Sequence, residues 1–255
     1  KKISALGYDA VEFLITNPAA IHVEELKRLL ERYNVKVSGF RTGLVYLKGG
    51  LRFSDPDAVM RARAVQRVKE IAKLAAEFDA QVLVGLMQGN LGKGEDVQRA
   101  KVWIKESLRE CARFAADHGV TISLEPVNRF ELGYHNTVAE VMEFLGEVNQ
   151  DGVKVRMLLD TFHMNIEDPS IPAGIVAARE LLGHVHFADS NRYAPGCGHI
   201  NFFEIVKVLK ALGYDGYITV EVLPVPDLYG AAKLSIEYLK TVLLYAEVRV
   251  GGSIL

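Results

Sequence analysis

The sequence predicts an α/β fold, a (β/α)8 TIM barrel, on three observations. Short apolar, β-branched runs alternate with longer segments of helical period at roughly 30-residue spacing, which calls for parallel strands joined by right-handed crossovers. The 255 residues match the usual length of one such barrel. Side chains able to bind metals or move protons fall at the carboxyl ends of successive apolar runs, the end at which these barrels build their sites.

Taken in order, the predicted strands are 10–15, 36–41, 81–87, 121–125, 155–160, 183–188 and 217–222. Helical period is read over 23–33, 56–78, 96–118, 137–148, 173–182 and 202–212, and in a last helix at about 227–245. Asp55-Pro56 and Asn201 are expected helix starts. Gly119, Gly183 and Gly213 are expected to follow last helical turns in a left-handed conformation. The opening residues Lys1 to Tyr8 read as the end of a helix. Seven strands are legible where a closed barrel has eight. The expectation is therefore a single barrel domain over 1–255 that lacks its first βα unit; the alternative is an added strand from the tail at 247–250.

The composition, 49% hydrophobic and 24% charged, is that of an ordinary globular protein. A formal net charge of −2 supplies no broad basic field, which argues against nucleic-acid partners. No apolar run approaches the ~18 residues of a membrane span. Cys111 and Cys197 lie in different kinds of segment, so no disulfide framework is expected, and no signal-peptide pattern opens the sequence. A reducing cytoplasm is the expected compartment.

Strand parity locates the chemistry. Side chains alternate across a strand, so Thr121, Ser123 and Glu125 share a face opposite Ile122 and Leu124. By the same alternation Glu221 opposes Ile218 and Val220, His184 and His186 oppose Val185 and Phe187, and Asp160 opposes Met157 and Leu159. With the apolar sets against the helices, four consecutive strands bring three carboxylates and an imidazole to one rim. Like-charge repulsion and desolvation penalise such a cluster unless a dication neutralises it. Three oxygens and one nitrogen suit Mn²⁺, Mg²⁺ or Co²⁺ better than a thiolate-type zinc site.

Three strings then make a resemblance specific: Glu125-Pro126-Val127-Asn128-Arg129-Phe130-Glu131, Asp160-Thr161-Phe162-His163-Met164-Asn165 and His186-Phe187-Ala188-Asp189-Ser190-Asn191-Arg192. With Pro195-Gly196-Cys197-Gly198-His199-Ile200-Asn201-Phe202, they resemble the ketose 3-epimerases (tagatose and psicose 3-epimerases) of the xylose-isomerase-like barrel superfamily, from about Gly7 to Leu239. The segment from Ala188 to His199 is most similar to a branch acting on keto-uronates, the 5-keto-L-gluconate epimerase group. The resemblance implies one divalent metal ion, Mn²⁺ first and Mg²⁺ or Co²⁺ as alternatives, held by Glu125, Asp160, His186 and Glu221. It also implies a sugar substrate contacted by Glu131, His163 and Arg192, and a homo-oligomer, dimer or tetramer. In the implied reaction Glu125 and Glu221 remove and return the proton next to a ketose carbonyl through a cis-enediolate.

Asp189 stands where many neutral-ketose epimerases carry Glu, which shortens a side chain expected on the rim. Further candidate substrate contacts are Glu12, Arg41 (a bidentate partner for a uronate carboxylate) and His199, each weighed against a structural role. His184 is expected as a hydrogen-bonded interior histidine, His22 and His118 as surface residues, and Cys197 as no nucleophile. Rival readings share the ligand pattern: an aldose–ketose or hydroxypyruvate isomerase, an inosose dehydratase and, remotely, an endonuclease IV-like DNA repair enzyme. The last needs further histidines on earlier strands, and the strands ending near Arg41 and Met87 offer none. A non-catalytic sugar-binding barrel would have no use for both Glu125 and Glu221.

Overall fold

In the computed structural model, which describes residues 1–92 and 94–247, seven parallel strands pair in chain order into one barrel-like sheet. They are β1 (Ala10–Leu14), β2 (Lys36–Arg41), β3 (Gln81–Val84), β4 (Ile122–Leu124), β5 (Val155–Asp160), β6 (Leu182–Phe187) and β7 (Ile218–Val220). The helices are α1 (Lys2–Leu6), α2 (Val23–Tyr33), α3 (Gly43–Gly49), α4 (Ala58–Ala76), α5 (Val97–Ala116), α6 (Val138–Val148), α7 (Thr161–Glu167), α8 (Ile171–Ala177), α9 (Phe202–Ala211) and α10 (Leu228–Glu247). β1 and β7 form the two edges of the sheet. Of the tail at 247–250, read as an alternative strand, Glu247 ends α10 and 248–250 lie outside the described residues. Among the described residues no helix is long and apolar enough to cross a membrane.

The predicted alternation holds because each strand has one apolar face to bury against a helix layer. Val82, Val84, Ile122, Leu124, Met157, Val185 and Phe187 are at most 1% exposed and join one core with Val68, Ile104, Leu108, Val141 and Ile205 of the helices. The opposite face fills the barrel with polar groups that satisfy one another. Ser123 donates to Gln81 at 2.8 Å, and the Gln81 amide donates to the Gly183 carbonyl at 3.0 Å.

Helix starts follow short side-chain acceptors. Asp57, Asp96, Thr137, Ser170 and Asn201 each accept a backbone N–H of the first turn. The cap of α4 is thus Asp57, not the expected Asp55-Pro56. Gly119 and Gly213 take left-handed φ values of 71° and 69° as expected, but Gly183 does not. It lies inside β6, where a Cβ would sit 2.5 Å from that of Arg156 and 2.7 Å from Ser123 Oγ, so close packing, not a turn, requires the glycine. The expected strand over 81–87 ends at Val84 and passes into a 3-10 turn, and the expected helix over 173–182 is α8.

The sheet is irregular in two places. The β1–β2 register shifts between Val11 and Glu12, and the β5–β6 register shifts between Met157 and Leu158. Such bulges re-aim side chains. Both precede residues that enter the polar end of the barrel.

Candidate metal centre

At the carboxyl ends of β4 to β7 the ladder continues one residue beyond the strands. The Glu125 N–H donates to Val84 O at 2.9 Å, and the Glu221 N–H donates to Phe187 O at 3.2 Å. Asp160 is paired with His186 across β5 and β6. This register brings one ligand-capable atom each of Glu125, Asp160, His186 and Glu221 within 4.8 Å of one another. His186 Nδ1 lies 2.7 Å from Glu221 Oε2, 3.7 Å from Asp160 Oδ2 and 3.8 Å from Glu125 Oε1.

The donor set fits a divalent cation. Glu125 Oε1 and His186 Nδ1 are buried and lack a hydrogen-bond partner, a costly state for polar atoms, and Glu221 Oε2 beside them makes ion-pair contacts without hydrogen-bond geometry. Electrostatics agree. Burial disfavours charge on His186, yet Glu12, Asp160 and Glu125 outweigh it and lift the imidazole to about 9. Burial likewise works against the Asp160 carboxylate, but Arg192 and His163 hold it well below the usual range. The carboxylates around His186 thus favour positive charge at the point the imidazole faces.

Asp160 serves two purposes. Its Oδ1 caps α7, accepting from the N–H groups of Phe162 (2.7 Å) and His163 (3.4 Å), while Oδ2 faces the cluster and accepts from Arg192 Nη1 at 2.9 Å. The cap starts a helix directly on the strand end, and its first turn carries His163 to the rim, with Nε2 3.7 Å from Glu125 Oε1. Arg192 also reaches Glu221 Oε2 at 3.1 Å and lies over the Phe162 ring, 4.8 Å from its centroid.

One cavity opens onto the cluster, bordered by Glu125, Glu131, His163, His186, Arg192 and Glu221, with Arg41 and Gly85 on the side of the earlier strands. The structure therefore brings together the four expected ligands and the three expected substrate contacts. It treats the remaining candidates differently. Glu12 is not at the mouth: its side chain is 3% exposed, and Oε2 accepts from His184 Nε2 (2.9 Å) and His186 Nε2 (3.1 Å). The bulge at Val11/Glu12 sends this carboxylate beneath the imidazole, where it orients the ring so that Nδ1 faces the cluster. Facing two histidines, the buried Glu12 carboxyl stays well below its usual range. His184 is the expected interior histidine; it also meets Thr219 Oγ1 at 3.0 Å. Arg41 pairs with Glu221 and, at 3.4 Å, with Glu12 Oε1. His199 is exposed and holds Ser190 Oγ at 2.9 Å within its own loop, away from the cavity lining.

Asp189 overturns its expectation as a rim side chain. It is buried, and its carboxylate turns back to accept from the N–H groups of Ser190 (2.8 Å), Gly196 (2.8 Å) and Ile200 (3.1 Å). These bonds knot the 189–200 loop and hold Arg192 at a φ of 62°. Three residues went unassigned in the sequence. Asn128 bonds both His163 and Glu131. Gln88 donates to the Glu125 carbonyl at 3.0 Å and accepts from buried His135 at 2.8 Å. A Cβ on Gly85 would lie 2.2 Å from Glu125 Oε2. For Asn128 alone a signal existed, its place inside the string that carries Glu125 and Glu131.

The sequence model of the xylose isomerase-like TIM barrel family matches residues 1–242. The chain belongs to this family. Over 217 residues it is 31% identical to L-ribulose 3-epimerase of Methylomonas sp. (strain DH-1), covering 84% of this chain and 74% of that one. Over 118 residues it is 37% identical to 3-dehydro-D-guloside 4-epimerase of Escherichia coli (strain K12), covering 46% of this chain and 44% of the other. The crystal structure of D-allulose 3-epimerase from Methylomonas sp. in complex with D-allulose superposes with a TM-score of 0.81 at 25% identity, covering 94% of this chain and 88% of that one. The family member described here is an enzyme of the sugar-epimerase kind.

Proposed function

We propose that this enzyme inverts the carbon next to the carbonyl of a ketose by removing a proton on one face and returning one on the other. The observation that carries the reading is the placement of Glu125 and Glu221. They stand at the ends of β4 and β7, with β5 and β6 between them, and both border the same cavity. Two carboxylates on different walls can exchange protons with opposite faces of one carbon while the sugar stays in place. In this reading one of them takes the proton to give a cis-enediolate, and the other supplies the proton that completes inversion. His163 and Arg192 donate hydrogen bonds to oxygen as negative charge develops on it. Glu131 holds a hydroxyl farther along the chain of the sugar.

Glu125, Asp160, His186 and Glu221 would hold a divalent ion, Mn²⁺ in first place with Mg²⁺ or Co²⁺ as alternatives. When bound, such an ion supplies Lewis acidity that polarises the carbonyl and acidifies the adjacent C–H. Both guanidinium groups on the cavity already face carboxylates: Arg41 meets Glu12 and Glu221, and Arg192 meets Asp160 and Glu221. That balance favours a neutral ketose over a keto-uronate. The relatives named as 3- and 4-epimerases share inversion next to a carbonyl, and the choice of carbon depends on where the ketone lies.

The test is proton exchange in deuterated water over a panel of ketopentoses, ketohexoses and keto-uronates, with and without added Mn²⁺. We expect metal-dependent deuterium incorporation at the inverted carbon of a neutral ketose. Incorporation in keto-uronates alone would reverse the substrate class, an aldose product would make the enzyme an isomerase, and no exchange with any ketose would remove the epimerase reading.

A further inference from the structure

Asn128 is 1% exposed and sits between two of the proposed sugar contacts. Its amide makes three bonds. Oδ1 accepts the Phe130 N–H at 3.0 Å, which fixes which end of the amide is oxygen. Nδ2 then faces His163 Nδ1 at 2.7 Å and donates to Glu131 Oε1 at 2.9 Å. The Asn128 backbone N–H points at the same ring nitrogen from 3.4 Å.

We infer that Asn128 is a positioning residue that fixes the tautomer of His163 and, with the same amide, the aim of Glu131. Two N–H donors converge on Nδ1, so that nitrogen must offer its lone pair. A proton there would face both donors, an arrangement in which neither N–H finds its acceptor. The neutral ring therefore carries its hydrogen on Nε2, the nitrogen on the Glu125 side, 3.7 Å from Oε1. His163 thus meets a bound molecule as a hydrogen-bond donor, the form needed beside an oxygen that gains negative charge. Only an asparagine of this length meets all three demands. Aspartate keeps the acceptor for Phe130 and loses both donors; serine keeps neither reach nor count.

What the Nε2 hydrogen donates to in turnover rests on the epimerase reading; the tautomer itself does not. The test is nitrogen NMR on the full chain labelled with ¹⁵N-histidine, without substrate, with the His163 signal assigned by difference against His163→Gln. We expect the wild type to show an unprotonated Nδ1 and a protonated Nε2. In Asn128→Asp the carboxylate calls for a proton on Nδ1, so that nitrogen should gain its hydrogen. Where a ketose is turned over, kcat should fall by 10-fold or more, with KM changed less. If the aspartate variant fails to fold, Asn128→Ser serves, with a mixture of both tautomers expected. A protonated Nδ1 in the wild type, or an unchanged His163 spectrum in the folded variants, overturns the inference. A correct tautomer in a protein that exchanges no ketose proton would instead overturn the epimerase reading and leave this one standing.

Discussion

Gly85 follows β3 and borders the cavity, with φ −112° and ψ −99°, outside the regions comfortable for a residue with a Cβ. An alanine there would place its methyl 2.2 Å from Glu125 Oε2 and 3.3 Å from its Cδ. Ordinary contact is about 3.5 Å, so the carboxylate must retreat by roughly 1 Å. The Glu125 backbone is held in place, since its N–H is bound to Val84 O and its carbonyl accepts from Gln88. The displacement therefore goes into the side chain, the part that would bind the ion and exchange the proton. A misplacement of about 1 Å costs on the order of 100-fold in rate, while the backbone strain costs about 1–3 kcal/mol of stability. Gly85→Ala should therefore fold, with a lower melting temperature, and lose about two orders of magnitude in kcat/KM in a coupled epimerisation assay. Calorimetric titration with Mn²⁺ should show weaker binding. Wild-type kcat/KM within threefold, together with unaltered Mn²⁺ affinity, would refute the assignment of Glu125 to the centre of the chemistry.

The buried polar groups yield two further expected outcomes. Glu12→Gln keeps the shape but weakens the acceptor that orients the His186 ring, so Mn²⁺ affinity measured by calorimetry should drop by about 10–100-fold; an unchanged Kd in the folded variant would remove Glu12 from that role. Asp168 accepts the N–H of Val138, the first residue of α6, at 3.0 Å, and burial, aided by Glu167 and Glu140, lifts its carboxyl to about 6. The folded protein thus favours the neutral acid: the stability it contributes is complete below pH ~4 and is lost as pH rises through about 6. Solvent screening of this half-buried group limits the effect to about 1 kcal/mol. Asp168→Asn should flatten that part of the pH–stability curve in urea melts between pH 4 and 7, and an identical curve would contradict the burial argument.

The legible and illegible parts of the site differ in how far a residue's environment lies from its own segment. Glu125, Asp160, His186 and Glu221 could be placed from alternation alone, because period 2 is local and a parallel ladder lines up the strand ends. Glu12 obeys the same alternation, yet the bulge beside it changes its depth, and depth separates a substrate contact from a brace under an imidazole. α3 and α7 escaped notice for a related reason. Each covers about two turns directly after a strand end, and α7 follows on Asp160, a ligand candidate whose second carboxylate oxygen serves as its cap.

Asp189 shows where residue type misleads outright. Beside Ser190, Asn191 and a glycine-rich turn, a carboxylate reads as solvent-facing, and its chemistry is indeed that of an acceptor in search of donors. The donors it finds are backbone N–H groups of its own loop, since Gly196 (φ 92°) and Gly198 let the main chain close to within hydrogen-bond distance. A Cβ on Gly198 would lie 2.3 Å from Asp189 Oδ1, so neither glycine nor aspartate can change alone. A longer glutamate would push the same backbone away and carry Arg192 with it. The length of the side chain at position 189 therefore bears on where the guanidinium stands.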